Sequence, residues 1–111
     1  MMTYSEIDEV AASRRDINSG PEGWGFSMYS FDSEDDAPHR SLLERFAAAH
    51  PEASIKLPRH ERHEDFVGAT ATWNSVAISI YYETLLGYLW LWSLDRKAME
   101  SFRMALLSMV A

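Results

Sequence analysis

The stretch from Phe66 to Val110 leaves this chain few ways to fold, because it carries three of the four tryptophans and most of the long apolar runs. Phe66 to Trp73, Val76 to Glu83 and Gly87 to Trp92 each alternate with period 2, the spacing at which successive side chains of a strand point to opposite faces. Val67, Ala69, Ala71 and Trp73 share one face of the first run, and Val76, Ile78, Ile80 and Tyr82 share one face of the second. In the third, Tyr88, Trp90 and Trp92 stand opposite Leu89 and Leu91. Asn74-Ser75 fits a two-residue hairpin turn, whereas Glu83 to Leu86 makes a poorer turn because Leu85 and Leu86 lack turn chemistry. From Leu94 to Val110 the period changes to that of a helix. Ala98, Met99, Phe102, Ala105, Leu106 and Met109 form its stripe, and Ser93 is placed to cap it, with Asp95 in the first turn. The spacing predicts an antiparallel meander feeding a helix.

Upstream, Thr3-Tyr-Ser-Glu6 has capping-box spacing. Ile7, Val10, Ala11 and Ile17 then fall near one helical face, so a first helix is expected, stopped by Gly20-Pro21. Trp24 to Phe31 alternates as a strand, with Trp24, Phe26, Met28 and Ser30 on one side and Gly25, Ser27, Tyr29 and Phe31 on the other; an edge position or a covered one would suit it. A second helix runs from Ala37-Pro38 to His50-Pro51, burying Leu42, Leu43, Phe46 and Ala47. Ala53 to Leu57 alternates briefly before Pro58 and suggests an edge or terminal strand. The fold class expected is α+β in the order α-β-α-β-β-β-β-α. It is a single domain over residues 1–111, an antiparallel sheet of about five strands with the helices mainly on one face.

Charge is distributed unevenly. Residues 1–36 carry nine acids against Arg14 and Arg15, which accounts for the entire net charge of −7, while the eight acids and eight bases of the remainder cancel. Such a field repels nucleic acid and anionic membrane and attracts a basic partner, so neither nucleic acid nor membrane is expected as a ligand. No cysteine is present, which removes disulfides and thiolate metal sites. The first residues lack the basic and apolar regions of a signal peptide, and no apolar run approaches the roughly 20 residues a membrane helix needs, so a cytoplasmic location is expected.

The residues that could carry chemistry do not assemble into a known machine. His60 and His63 are three apart in the charged run His60 to Asp65. Pro58 and the adjoining strand argue for a loop there rather than a helix that would bring both rings to one metal, so no metal or other cofactor is expected. His39 and His50 flank the second helix and Ser41 lies near His39, yet no nucleophile elbow, phosphate cradle or dinucleotide fingerprint accompanies them, and an enzyme is not expected. Tyr81, Tyr82, Tyr88, Trp90 and Trp92 gather on two strands. Aromatics on an open sheet can stack bases, but only amid positive charge, which this chain lacks; if the helices cover one face, those on the other are exposed for protein contact.

A small acidic α+β chain with a terminal helix after Trp90-Leu91-Trp92-Ser93 and no catalytic motif resembles the immunity proteins of bacterial polymorphic-toxin and contact-dependent inhibition systems. The resemblance is one of type. It implies a protein that binds a cognate toxin domain, often a basic nuclease, and blocks it. On that reading Asp32, Glu34, Asp35 and Asp36 steer and pair with a basic patch, and Trp24, Tyr29 or Phe31 supplies an apolar anchor. A secretion chaperone or adaptor holding an extended apolar segment is the alternative, and a small-ligand pocket between sheet and helices is a third.

Overall fold

The structure, a computed structural model, describes residues 2–10, 23–30, 38–59, 66–84 and 86–110. Its strands are β1 (Met2–Tyr4), β2 (Asp8–Val10), β3 (Gly23–Ser30), β4 (Phe66–Trp73), β5 (Val76–Glu83) and β6 (Tyr88–Ser93). Helix α1 (Pro38–Ala49) follows β3 and helix α2 (Arg96–Leu107) follows β6. All neighbours pair antiparallel in the order β1-β3-β6-β5-β4, and β2 pairs with β3 beside β1, so six strands fill five positions. The α+β class, the sheet width and the meander are those expected from the sequence.

The meander forms as its alternation predicts. Trp73 pairs with Val76 across Asn74 and Ser75, whose φ values of 52° and 65° give the doubly left-handed turn that suits the twist of a two-residue hairpin. The second connection, 84–87, ends at Gly87 with φ 62°, and the Gly87 carbonyl accepts from Ser30 N at 2.8 Å, extending the β3 ladder beyond the start of β6. Cross-strand register puts Phe26, Leu91, Ile80 and Ala69 in one row, and Met28, Leu89, Tyr82 and Val67 in the next. Both helices lie on this face. Leu42, Leu43 and Phe46 of α1 and Ala98, Met99, Phe102 and Leu106 of α2 are buried against it. Trp73 joins the layers: its ring centroid lies 5.7 Å from Phe46 and 5.5 Å from Phe102, and its indole N–H donates to Ser101 Oγ at 2.9 Å.

Three expectations are corrected. The stretch at 3–10 is not helical, because β1 and β2 lie there; the part of the expected helix at 11–20 is outside the described residues. A weak amphipathic pattern gives a short helix little independent stability, whereas the open edge of β3 offers a backbone partner for every group laid along it. β3 is accordingly an interior strand, so of the two positions open to it from the sequence the edge is excluded. Ala53 to Leu57 is not a strand either: Pro51–Ala53 is a 3₁₀ turn and Ser54 takes φ 50°, which turns the chain so that Ala53, Ile55 and Leu57 pack on the core without joining the sheet. Finally, α2 is capped by Asp95, whose carboxylate accepts from Ala98 N at 3.0 Å. Ser93 instead donates to the Ala77 carbonyl at 2.9 Å and accepts from Asp95 N, tying the cap to β5.

The junction of β1 and β2 has its own device. Tyr4 pairs with Met28 and Asp8 with Gly25, so four steps on one strand face three on the other and a bulge of one residue is inserted. Ser5 bridges it: its N donates to the Ser27 carbonyl, and its hydroxyl accepts from Ser27 N in place of a backbone carbonyl, both at 2.9 Å. The displaced Ser5 carbonyl accepts from Arg103 Nε of α2 at 3.0 Å. The same guanidinium lies over the rings of Tyr4 and Phe26 and is 3.6 Å from Glu6, so one arginine holds the bulged edge to the helix layer.

Candidate functional site: the aromatic face of the sheet

The register that buries Phe26, Leu91 and Ile80 sends the intervening residues to the face opposite the helices. There Tyr29 stands beside Tyr88, which pairs with Glu83; Ser27 stands beside Trp90, which pairs with Tyr81; and Gly25 stands beside Trp92, which pairs with Ser79. Tyr29 is 41% exposed, and Tyr81, Tyr88, Trp90 and Trp92 are half-buried. The Trp90 and Trp92 rings lie 6.4 Å apart and nearly parallel at 26°, and Tyr29 and Tyr88 are in contact at 5.0 Å. Tyr82, of the opposite parity, is core.

Small residues set the depth of this face. A Cβ added to Gly23 would meet Trp92 Cε2 and Nε1 at 2.5 Å, so the indole lies directly on the backbone of β3. Gly68, paired with Tyr81, has nothing within 4 Å of where a Cβ would stand. None of the six strands contains Lys or Arg, while Asp8 and Glu83 both point to this side. Glu83 is held in place by the Tyr81 hydroxyl, which donates to its Oε1 at 2.8 Å.

Of the residues expected to contact a partner, Tyr29 is on this face and exposed. Trp24 is on the other face of β3, half-buried against the core with the Arg96 guanidinium 4.7 Å above its ring. The two therefore cannot act as one anchor. Phe31, Asp32, Glu34, Asp35 and Asp36, like His60 and His63, lie outside the described residues. Glu83 is the residue the sequence reading passed over, although its spacing of two from Tyr81 already placed both on one face.

Elsewhere the candidates reduce to structure. Between the bulge and α2 lies an open groove of about 380 Å³ with Ile7, Met104 and Leu107 in its lining. Its charges are already matched, Arg96 to Glu100 at 2.9 Å and Arg103 to Glu6. His50 stacks in the Phe46 and Trp73 cluster and meets Glu52 at 3.3 Å. Among the described residues no group of three or more His, Asp or Glu side chains could hold a metal. No helix among them is long and apolar enough to cross a membrane.

His39 is buried in the first turn of α1, and burial lowers its pKa below the ordinary 6.5; the nearby Gly87 backbone offsets this only in part, because neither ring nitrogen makes a well-formed hydrogen bond. The folded state therefore favours the neutral ring. Its contribution is complete above pH 6.5 and is lost as the pH falls from 6.5 towards the lowered value, since the unfolded chain there binds the proton first. The unfolding free energy from urea titrations should fall between pH 7.5 and 5.5 in the wild type, by at most about 1.4 kcal/mol per pH unit from this group, and less steeply in His39→Gln. Parallel curves would show that His39 is not the group responsible.

Compared with protein-family models, with curated proteins and with solved structures, the chain matches none. What the described residues define is an α+β protein whose antiparallel sheet is covered by helices on one side and carries a row of aromatics, Tyr29 exposed and the rest half-buried, on the other.

Proposed function

We propose that this chain is a protein-binding inhibitor of the immunity type, which neutralises a basic toxin domain by occluding its surface. The observation that carries this reading is the face of Tyr29, Tyr81, Tyr88, Trp90 and Trp92, set on strands without a single Lys or Arg. Large aromatics in a cluster are the side chains that dominate protein interfaces. The absence of Lys and Arg from the described strands argues against stacked nucleic-acid bases, whose phosphates need positive charge. The excess acid of residues 1–36 supports a cationic partner drawn in by long-range attraction. In this mechanism the acidic run Asp32, Glu34, Asp35 and Asp36 accelerates encounter, and the aromatic face supplies the contact that persists.

The same face also suits a secretion chaperone or adaptor gripping an extended apolar segment, and salt separates the two. The test is to recover the tagged chain with its partner from its own cells and to measure association at low and high salt. For an inhibitor the rate should drop, by about tenfold or more, as salt screens fields beyond roughly 8–10 Å. Neutralising Asp32, Glu34, Asp35 and Asp36 to Asn or Gln should slow association and flatten its salt dependence. Salt-independent rates in both proteins, with binding still abolished by Tyr81→Ala, would replace the inhibitor with the chaperone.

A further inference from the structure

Resting on the reading of a basic protein partner, we propose that Trp90, Tyr81 and Glu83 form a subsite for an arginine side chain of that partner, with the guanidinium flat on the Trp90 indole and its edge paired to the Glu83 carboxylate. Trp90 occupies the middle of β6. Its neighbours across the sheet are Ser27, too short to cover the ring, and Tyr81. Glu83 is one pair along, opposite Tyr88, on the same face and diagonal to Trp90, a separation that long side chains span.

The Tyr81 hydroxyl does two things. It fixes Glu83 Oε1 at 2.8 Å, so the carboxylate is held against the sheet, and it leaves Oε2 to accept from an incoming donor. A carboxylate oriented by a phenol beside an indole face matches a planar, weakly hydrated cation that can stack and donate along its edge at once. Lysine is a hydrated point charge and can do only one of these well. No strand supplies a cation of its own to this site. On the helix side of the same sheet Trp24 already carries Arg96 over its ring, 4.7 Å away, which shows the geometry in which this chain stacks a guanidinium on indole.

The experiment titrates the intact protein with three capped hexapeptides, in which glycine alternates with arginine, lysine or citrulline, and follows the Trp90 indole N–H by NMR. The arginine peptide should bind at least about tenfold more tightly than the lysine peptide, since stacking and edge pairing are both available only to it. Citrulline, planar but uncharged, should not shift the signal. Glu83→Gln, which keeps the shape of the side chain, should weaken the arginine peptide by about fivefold or more, and Tyr81→Phe, which frees the carboxylate, by a smaller factor. Equal binding of arginine and lysine, or an unchanged affinity in a folded Glu83→Gln protein, would overturn the subsite. The two readings fail separately. A recovered partner that binds wild type and Glu83→Gln alike defeats the subsite and leaves the inhibitor standing, whereas arginine-selective binding with no charge-steered protein partner does the reverse.

Discussion

Phe102→Ala should lower the stability of this protein by about 3–5 kcal/mol, the cost of truncating a buried phenylalanine whose surroundings cannot close around the loss. Phe102 is fully buried at the meeting point of both helices and the sheet, with its ring centroid 5.0 Å from Phe46 and 5.5 Å from Trp73. Phe46 is anchored on α1, and Trp73 is fixed by its hydrogen bond to Ser101, so neither ring can swing into the void. For a domain of about this size each kilocalorie moves the thermal midpoint by roughly 4 °C or more, so calorimetry should show a fall of at least about 12 °C. Met104→Ala on the exposed side of the same helix, 75% accessible, should stay within about 0.5 kcal/mol of wild type. A shift of only a degree or two for Phe102→Ala would mean that α2 does not dock on this stripe.

Gly87→Ala should be nearly as damaging for a different reason. At φ 62° a side chain is strained by about 1–2 kcal/mol wherever it stands, and here the new Cβ would also run into the Ser30 carbonyl oxygen. That oxygen belongs to backbone and cannot rotate away, because Ser30 N is bonded to the Gly87 carbonyl. Adding a typical overpacking cost of about 1–3 kcal/mol gives a loss of about 2–5 kcal/mol in urea unfolding. Gly68→Ala provides the contrast: its Cβ would meet nothing, no positive φ opposes it, and a change of less than about 1 kcal/mol is expected. If both variants unfold at the wild-type midpoint, Gly87 does not hold the conformation described.

The parts of this fold that could be read from the chain are those in which local pattern and distant packing agree. β4 and β5 alternate cleanly and are joined by Asn74-Ser75; α1 is bounded by Pro38 and Pro51, and α2 has a stripe wide enough to bury four residues. The N-terminal segment was not legible, because Ile7 and Val10 suit a helix as well as an edge, and the deciding factor is the unpaired side of β3. That pairing joins residues 13 to 17 positions apart and leaves no trace in local spacing. Ala53 to Leu57 misleads in the opposite sense, since its alternation is real but Ser54 breaks the extended run. The aromatic face followed from parity alone once the helices were assigned to the other side. The separation of Trp24 from Tyr29 followed from the same parity. The Glu83 contact did not, because a phenol reaching two residues along its own strand is a matter of side-chain geometry rather than sequence period.

The bulge at Ser5 makes the two borders of the sheet unlike as templates. A foreign strand approaching beyond β1 and β2 would find hydrogen-bonding groups that change register partway along, with the Ser5 carbonyl already taken by Arg103, and could pair over three residues at most before falling out of step. The protein thus guards this border against runaway sheet growth with backbone geometry, and without spending a lysine or proline on it.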